Sequence, residues 1–227
     1  MRLAVSEAVV DTEKPGPDCP LCPRLVAYRD ALRAKEPDWH NAPVPEFLPQ
    51  GGRPAVKLFI VGLAPGVRGA NRTGRPFTGD YAGDLLYRTL AAFGFSNDLF
   101  DARPDDGLEL YETAIVNAVR CVPPENKPTP AEINTCRRFL TSAVETFENR
   151  VAIVTLGRIA HDSTLRALGV KLSAAPFSHG GIHSVAGIRI ASSYHCSRYN
   201  TNTGRLTEEM FRNVFAGVAA YLSGSGD

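Results

Sequence analysis

Two side chains capable of chemistry stand three residues apart in residues 57–87, KLFIVGLAPGVRGANRTGRPFTGDYAGDLLY: the ring of Phe77 and the carboxylate of Asp80. Both lie in a glycine-rich loop that also carries Arg68, Arg72 and Arg75. Such a loop lets backbone N–H groups converge on an anion, and a helix starting behind it adds a favourable dipole. A glycine loop alone is weak evidence for this; the ring and the acid within it make it a candidate site. Three more residues stand at or just past the ends of apolar runs: Asn117, Gly157 and His195. Four cysteines form two distant pairs, Cys19-Pro-Leu-Cys22 and Cys121 with Cys136. Four thiolates can hold a [4Fe–4S] cluster or a Zn²⁺ ion. Buried, unliganded cysteines are the plainer alternative, and the wide separation of Cys121 from Cys136 is unlike a zinc ribbon. Cys196, the fifth, has no separate base beside it and reads as a packing residue.

The elements that must position these groups follow from the apolar pattern. Leu58-Phe59-Ile60-Val61 is a β-branched run closed by Gly62, the signature of a short strand buried on both faces. Residues 113–119, 151–156 and 187–193 repeat that signature. Helices are expected from Tyr81 through Leu85, Leu86 and Leu90, over about 158–168, and over 206–222. Another follows Thr129-Pro130-Ala131-Glu132, where Thr is an N-cap, Pro sits at N1 and an acid occupies the first turn. That helix should reach about residue 149. A shorter helical pattern passes through Leu25, Tyr28 and Leu32. Residues 36–54 carry five prolines and read as an extended connector. Residues 96–111, 121–130 and 173–184 read as loops.

Strands alternating with helices predict an α/β fold, a three-layer α/β/α sandwich around a mainly parallel four-stranded sheet. Ligands in such sheets bind beyond the carboxyl ends of the strands. The Gly62 loop, Asn117, Gly157 and His195 should therefore share one edge.

Composition sets the outer limits. The 227 residues are 44% hydrophobic and 22% charged, ordinary for one globular domain. A loose tail over residues 1–17 and a single domain over 18–223 are expected. The net charge of +1 argues neither for nor against nucleic acid. Locally, however, Arg68, Arg72, Arg75 and Arg88 face only Asp80 and Asp84, enough for one basic face. No run of ~20 apolar residues suggests a membrane span, and the polar N-terminus is unlike a signal peptide. A cytosolic setting follows, in which five cysteines argue against a disulfide framework.

Taken together, these residues resemble the uracil-DNA glycosylase superfamily, specifically its iron–sulfur type. The resemblance rests on Cys19-x-x-Cys22 with two later cysteines, Gly62-Leu-Ala-Pro-Gly66, Gly74-Arg-Pro-Phe77 and His195-Cys-Ser197, and it spans roughly residues 19–212. Family 4 enzymes place a water-activating Glu after the first glycine of the loop; Leu63 stands there and cannot take a proton. That departure resembles family 5, also called type B, as do Asn71-Arg-Thr-Gly-Arg-Pro-Phe-Thr-Gly-Asp80 and Asn200-Thr-Asn-Thr-Gly-Arg-Leu206. The proline usual after the motif histidine is Cys196 here.

The resemblance implies a monofunctional enzyme that starts base-excision repair, with Cys19, Cys22, Cys121 and Cys136 holding a structural [4Fe–4S] cluster. Its partner would be DNA containing uracil or another deaminated or damaged base, such as hypoxanthine or ethenocytosine. It would act as a monomer, in a bacterial or archaeal cytoplasm, near the nucleoid. Phe77 would stack on the flipped base, Asn117 would bond its edge and His195 its oxygen. Asp80 would orient water while serving as N-cap of the helix behind it. Gly62, Ala64, Pro65 and Gly66 would line the substrate loop. Ser197 to Asn202 would form the loop that enters the duplex, Ser197 touching a phosphate. Arg68, Arg72, Arg75, Arg198 and Arg205 would contact the backbone. His161, His179 and His183 read as structural or surface residues. Two rivals stand beside this reading: a non-catalytic DNA-binding iron–sulfur protein on the same fold, and a phosphate-cradling hydrolase, for which the loop lacks a lysine or metal carboxylates.

Overall fold

The computed structural model describes residues 13–146, 152–185 and 187–225. Most of the expected loose tail and the expected helix end near residue 149 lie outside them. Among the described residues the strands are β1 (Leu58–Gly62), β2 (Thr113–Asn117), β3 (Ala152–Leu156), β4 (Ile182–Val185) and β5 (Ile188–Ser193). The helices are α1 (Pro23–Lys35), α2 (Ala70–Thr73), α3 (Tyr81–Ala92), α4 (Pro130–Val144), α5 (Arg158–Ala167), α6 (Arg198–Asn202) and α7 (Glu208–Leu222). No helix among them is long and apolar enough to cross a membrane.

The sheet order is β2-β1-β3-β5-β4, with only the β4–β5 pair antiparallel. The mainly parallel α/β sheet is as expected, but it has five strands, because residues expected to be loop include β4. The reason is local. The central strands are continuous apolar runs, while β4 is a four-residue edge strand behind two glycines whose Ile182 faces solvent. An edge strand buries too little to need an apolar signature.

Alternation along β1 divides the core. Leu58 and Ile60 meet Leu86 and Leu90 of α3 and Phe211 and Phe215 of α7. Phe59 and Val61 face the other way, onto Leu140 and Val144 of α4 and Ala160 and Leu165 of α5. Helix starts obey their caps. Asp80 Oδ1 accepts from the Ala82 amide, and Thr129 with Glu132 closes a capping box.

The proline-rich connector covers the outer edge of β2. Phe47 exchanges two backbone hydrogen bonds of 2.9 Å with Ile115, and the Val44 amide donates to the Arg120 carbonyl. Pro43, Pro45 and Pro49 lack amides, so no further strand can zip up there. Just before Phe47, the buried Glu46 carboxylate takes two arginines, Arg120 at 2.6 Å and Arg53. Removing one member of a buried ionic cluster leaves the others uncompensated, so Glu46→Ala should lose about 3–5 kcal/mol of folding stability. Denaturant unfolding measures this; a midpoint shift equivalent to less than about 1 kcal/mol would mean that water already screens both guanidiniums.

Candidate active site

The carboxyl ends of β1 and β2 meet at the register pair Gly62–Asn117. Gly62 has room for no side chain: a Cβ there would overlap Asn117 Oδ1 and stand 2.7 Å from Phe77 Cζ. The amide and the aromatic ring therefore both close over the end of β1, and both are buried. Phe77 is held in left-handed backbone, φ 53°, which costs a bulky residue about 1–3 kcal/mol and persists only where the surroundings enforce it. Those surroundings are the Tyr87 hydroxyl, which donates to the Pro76 carbonyl at 2.6 Å, and Gly83. A Cβ at Gly83 would overlap the Phe77 carbonyl oxygen, so α3 packs directly on the backbone that aims the ring.

His195 arrives from beyond β5. Its ring centroid lies 6.1 Å from that of Phe77, with 28° between planes. Gly157, at φ 96°, follows β3 and lies against the His195 Cβ, and the Asn200 side-chain Nδ2 donates to the His195 carbonyl at 2.8 Å. Burial pushes the imidazole down to about 4, so it is neutral at physiological pH. The neighbouring Cys196 thiol is fully buried, donates to the Ala82 carbonyl at 3.5 Å and is pushed up by burial. A thiol in that state packs; it is not a nucleophile.

Asp80 uses its two oxygens differently. Oδ1 accepts the Ala82 amide at 3.2 Å. Oδ2 lies over the glycine loop, where a Cβ at Gly69 would overlap it and one at Gly66 would stand 3.2 Å away. Burial raises this carboxyl above the usual 3.8, and the Gly83 and Ala82 amides pull the other way. One edge of the sheet thus gathers an aromatic face, an amide, a neutral imidazole and a carboxylate with one oxygen left for a ligand or water.

At the other side of the β1 loop the four paired cysteines line one small apolar cavity with Leu25, Val26 and Phe139. Among the described residues no set of His, Cys, Asp or Glu stands as a ready metal-binding group. The donor set still suits one. Four cysteines line the same space, Thr135 and Arg120 share its wall, and the Arg120 amide donates to Cys136 Sγ at 3.3 Å. Burial pushes the thiols of Cys121 and Cys136 up to about 12 and about 11, and neighbouring sulfurs add to both shifts. Ala64 packs against this cluster, so the centre and the loop after β1 share a wall.

The model of the uracil DNA glycosylase superfamily matches residues 49–219. A type-5 uracil-DNA glycosylase of Thermus thermophilus is 45% identical over 203 residues, covering 86% of this chain and 90% of the relative. This chain belongs to the type-5 family of that superfamily. A second type-5 relative, from Pyrobaculum aerophilum, is 40% identical over 207 residues, covering 89% and 88%. A type-4 uracil-DNA glycosylase of Saccharolobus solfataricus is more distant, 28% identical over 194 residues, covering 79% and 83%.

In this type-5 chain the structure brings Gly62, Gly66, Phe77, Asp80, Asn117 and His195 to one edge of the sheet. Ala64 and Pro65 join them by backbone, the Ala64 side chain being turned toward the cysteines. Residues 198–202 are the short helix α6, not a loop. Ser197 is its N-cap, accepting from the Asn200 amide at 3.4 Å, and Asn202 is exposed at its far end. Arg68, Arg72, Arg198 and Arg205 are exposed along the rim. Arg75 is not a backbone-contact residue. It is buried, grips Asp106 through bonds of 2.8 and 2.7 Å, and bonds the Thr78 hydroxyl at 2.7 Å. Its neighbours are the Phe47, Tyr87 and Phe100 rings. In the sequence it looks no different from its neighbours; the partner that claims it lies 31 positions away.

Sequence reasoning also missed a cleft of about 740 Å³ beside His195, whose walls include Leu63, Gly157, Phe177 and Tyr194. Two arginines stand over those rings, Arg158 at 5.1 Å from Phe177 and Arg205 at 4.6 Å from Tyr194. Arg158 was findable, since it opens α5 directly after Gly157, which follows β3; Phe177 and Tyr194 follow no pattern that marks them.

Proposed function

We propose that this protein hydrolyses the N-glycosidic bond of uracil in DNA, and of related deaminated or damaged bases such as hypoxanthine and ethenocytosine, to start base-excision repair. The observation that carries the reading is the approach of Phe77 and His195 over the Gly62–Asn117 strand ends. A glycosylase must take its base out of the stack, and these groups supply what the extracted base lacks: a ring to stack on, an amide for its edge and a donor for its oxygen.

Bond breaking moves the C1′–N electron pair onto the base, leaving an oxocarbenium sugar and a base anion. The larger catalytic term is the hydrogen bond that strengthens as that anion forms. His195, neutral through burial, gives this bond without handing over a proton. Asp80 Oδ2 orients the water that adds to C1′, and its charge stabilises the sugar cation; the water sheds one proton to solvent and the base anion takes one up, so the base leaves neutral. Leu63 offers no base, so the rate comes from anion stabilisation rather than strong water activation. The exposed rim arginines, Arg158 now among them, hold the DNA backbone by a salt-dependent attraction.

Cys19, Cys22, Cys121 and Cys136 would hold a [4Fe–4S] cluster, which when bound ties the N-terminal segment to the end of β2 and takes no part in the reaction. Cys121→Ser should therefore express poorly and lose the brown colour; a colourless wild-type protein that is folded and active would contradict the cluster.

The deciding assay is base release from oligonucleotides carrying uracil, hypoxanthine, xanthine, ethenocytosine or thymine opposite guanine, each then treated with alkali. Strand cleavage at uracil is expected. Binding without release from any of them would favour a non-catalytic DNA-binding protein.

A further inference from the structure

Among the described residues three arginines are buried, and two of them, Arg75 and Arg120, have close carboxylate partners. Arg75 has Asp106, and Arg53 and Arg120 share Glu46. Arg29, on the inner face of α1 beside Leu25, is only 4% exposed. Its Nη1 donates to the Cys19 carbonyl at 3.1 Å, while its Nε is buried without a hydrogen-bond partner. The carboxylate nearest to it, Asp30, stands 3.6 Å away, is 57% exposed and is shared with Arg33 at the same distance. A buried cation so poorly compensated costs stability unless an anion comes to it.

That anion is close by. The carbonyl that Arg29 holds belongs to Cys19, and Leu25, one turn back on the same helix face, lines the four-cysteine cavity. Four thiolates around a 2+ centre, whether a zinc ion or an oxidised [4Fe–4S] core, carry a net charge of −2 in an apolar cavity. We infer that Arg29 is the buried counter-charge of the four-cysteine centre, positioned by α1 to hold the loaded state and a burden on the chain without it. The inference rests on the metal centre proposed above. It adds a residue outside the ligand set, and it explains why α1 buries an arginine between Leu25 and Leu32.

The test compares wild-type protein with Arg29→Gln and Arg29→Lys, all as purified. Metal and sulfide content are measured first, then the rate at which EDTA strips the metal. Arg29→Gln should lose metal about tenfold faster, the usual cost of removing an outer-sphere partner, and Arg29→Lys should restore most of the retention. If the centre is iron–sulfur, Arg29→Gln should also lower its reduction potential, because a nearby cation favours the more negative reduced state; a merely packing residue would leave the potential unmoved. Equal stripping rates in wild type and Arg29→Gln overturn the inference and leave the centre standing. A wild-type protein without metal overturns both. Should Arg29→Gln fail to accumulate, Arg29→Lys decides: retention at the wild-type rate supports a role for charge, and loss of metal from the folded variant refutes it.

Discussion

Replacing His195 by leucine is expected to slow single-turnover release of uracil about 10²- to 10³-fold, the usual cost of removing a donor aimed at a developing anion. Affinity for the DNA should change little, because it comes from the charge of the exposed arginines and not from this neutral side chain. The pH dependence distinguishes how the histidine works. Burial holds the imidazole at about 4, so it is already neutral from pH 5 upward. A neutral donor predicts no loss of rate as pH rises through 6 to 8. A general acid would instead lose activity as its proton leaves. A wild-type rate that falls across that range, together with a leucine variant that shows no such fall, would replace anion stabilisation with proton transfer.

The reasons for what the sequence revealed are physical. β1, β2 and β3 are buried on both faces and need apolar residues at every position, so they stand out as runs. Asp80 and Thr129 stand out as caps because a helix start needs a side-chain acceptor there. The rule that ligands bind past the carboxyl ends then places Asn117, Gly157 and His195 together, and the structure has them on that edge. Signals that depend on distant partners were silent. Arg75 looked like a surface cation until Asp106 folded onto it, and nothing in the sequence marks Arg29 as buried. β4 could not be read because its stability comes from hydrogen bonds to β5 rather than from burial. The loop now seen as α6 is one short turn held by the Ser197 cap, below the length at which periodicity carries information.

Asp80 brings capping and catalysis into the same side chain, and one substitution separates them. Asparagine caps a helix about as well as aspartate, so Asp80→Asn keeps the acceptor for the Ala82 amide and removes only the charge. Turnover should fall at least about tenfold while binding to uracil-containing DNA persists. Stability should move the opposite way. Burial raises this carboxyl above the usual 3.8, so the folded protein binds its proton more tightly than the unfolded chain does. The stabilisation from that proton is complete below the unfolded value and is lost as pH rises through the folded one. At pH 7 the ionised Asp80 therefore costs the fold, and Asp80→Asn should melt higher than wild type there, with the gap closing below pH 4. The wild-type rate should fall on acidification at a pH above the 3.8 usual for an aspartate, as the same group takes up its proton. A variant that is slower but no more stable would mean that the carboxylate is better solvated than its place over Gly69 implies. A variant as fast as wild type would leave Asp80 with the cap alone, and the water would need another partner on this edge of the sheet.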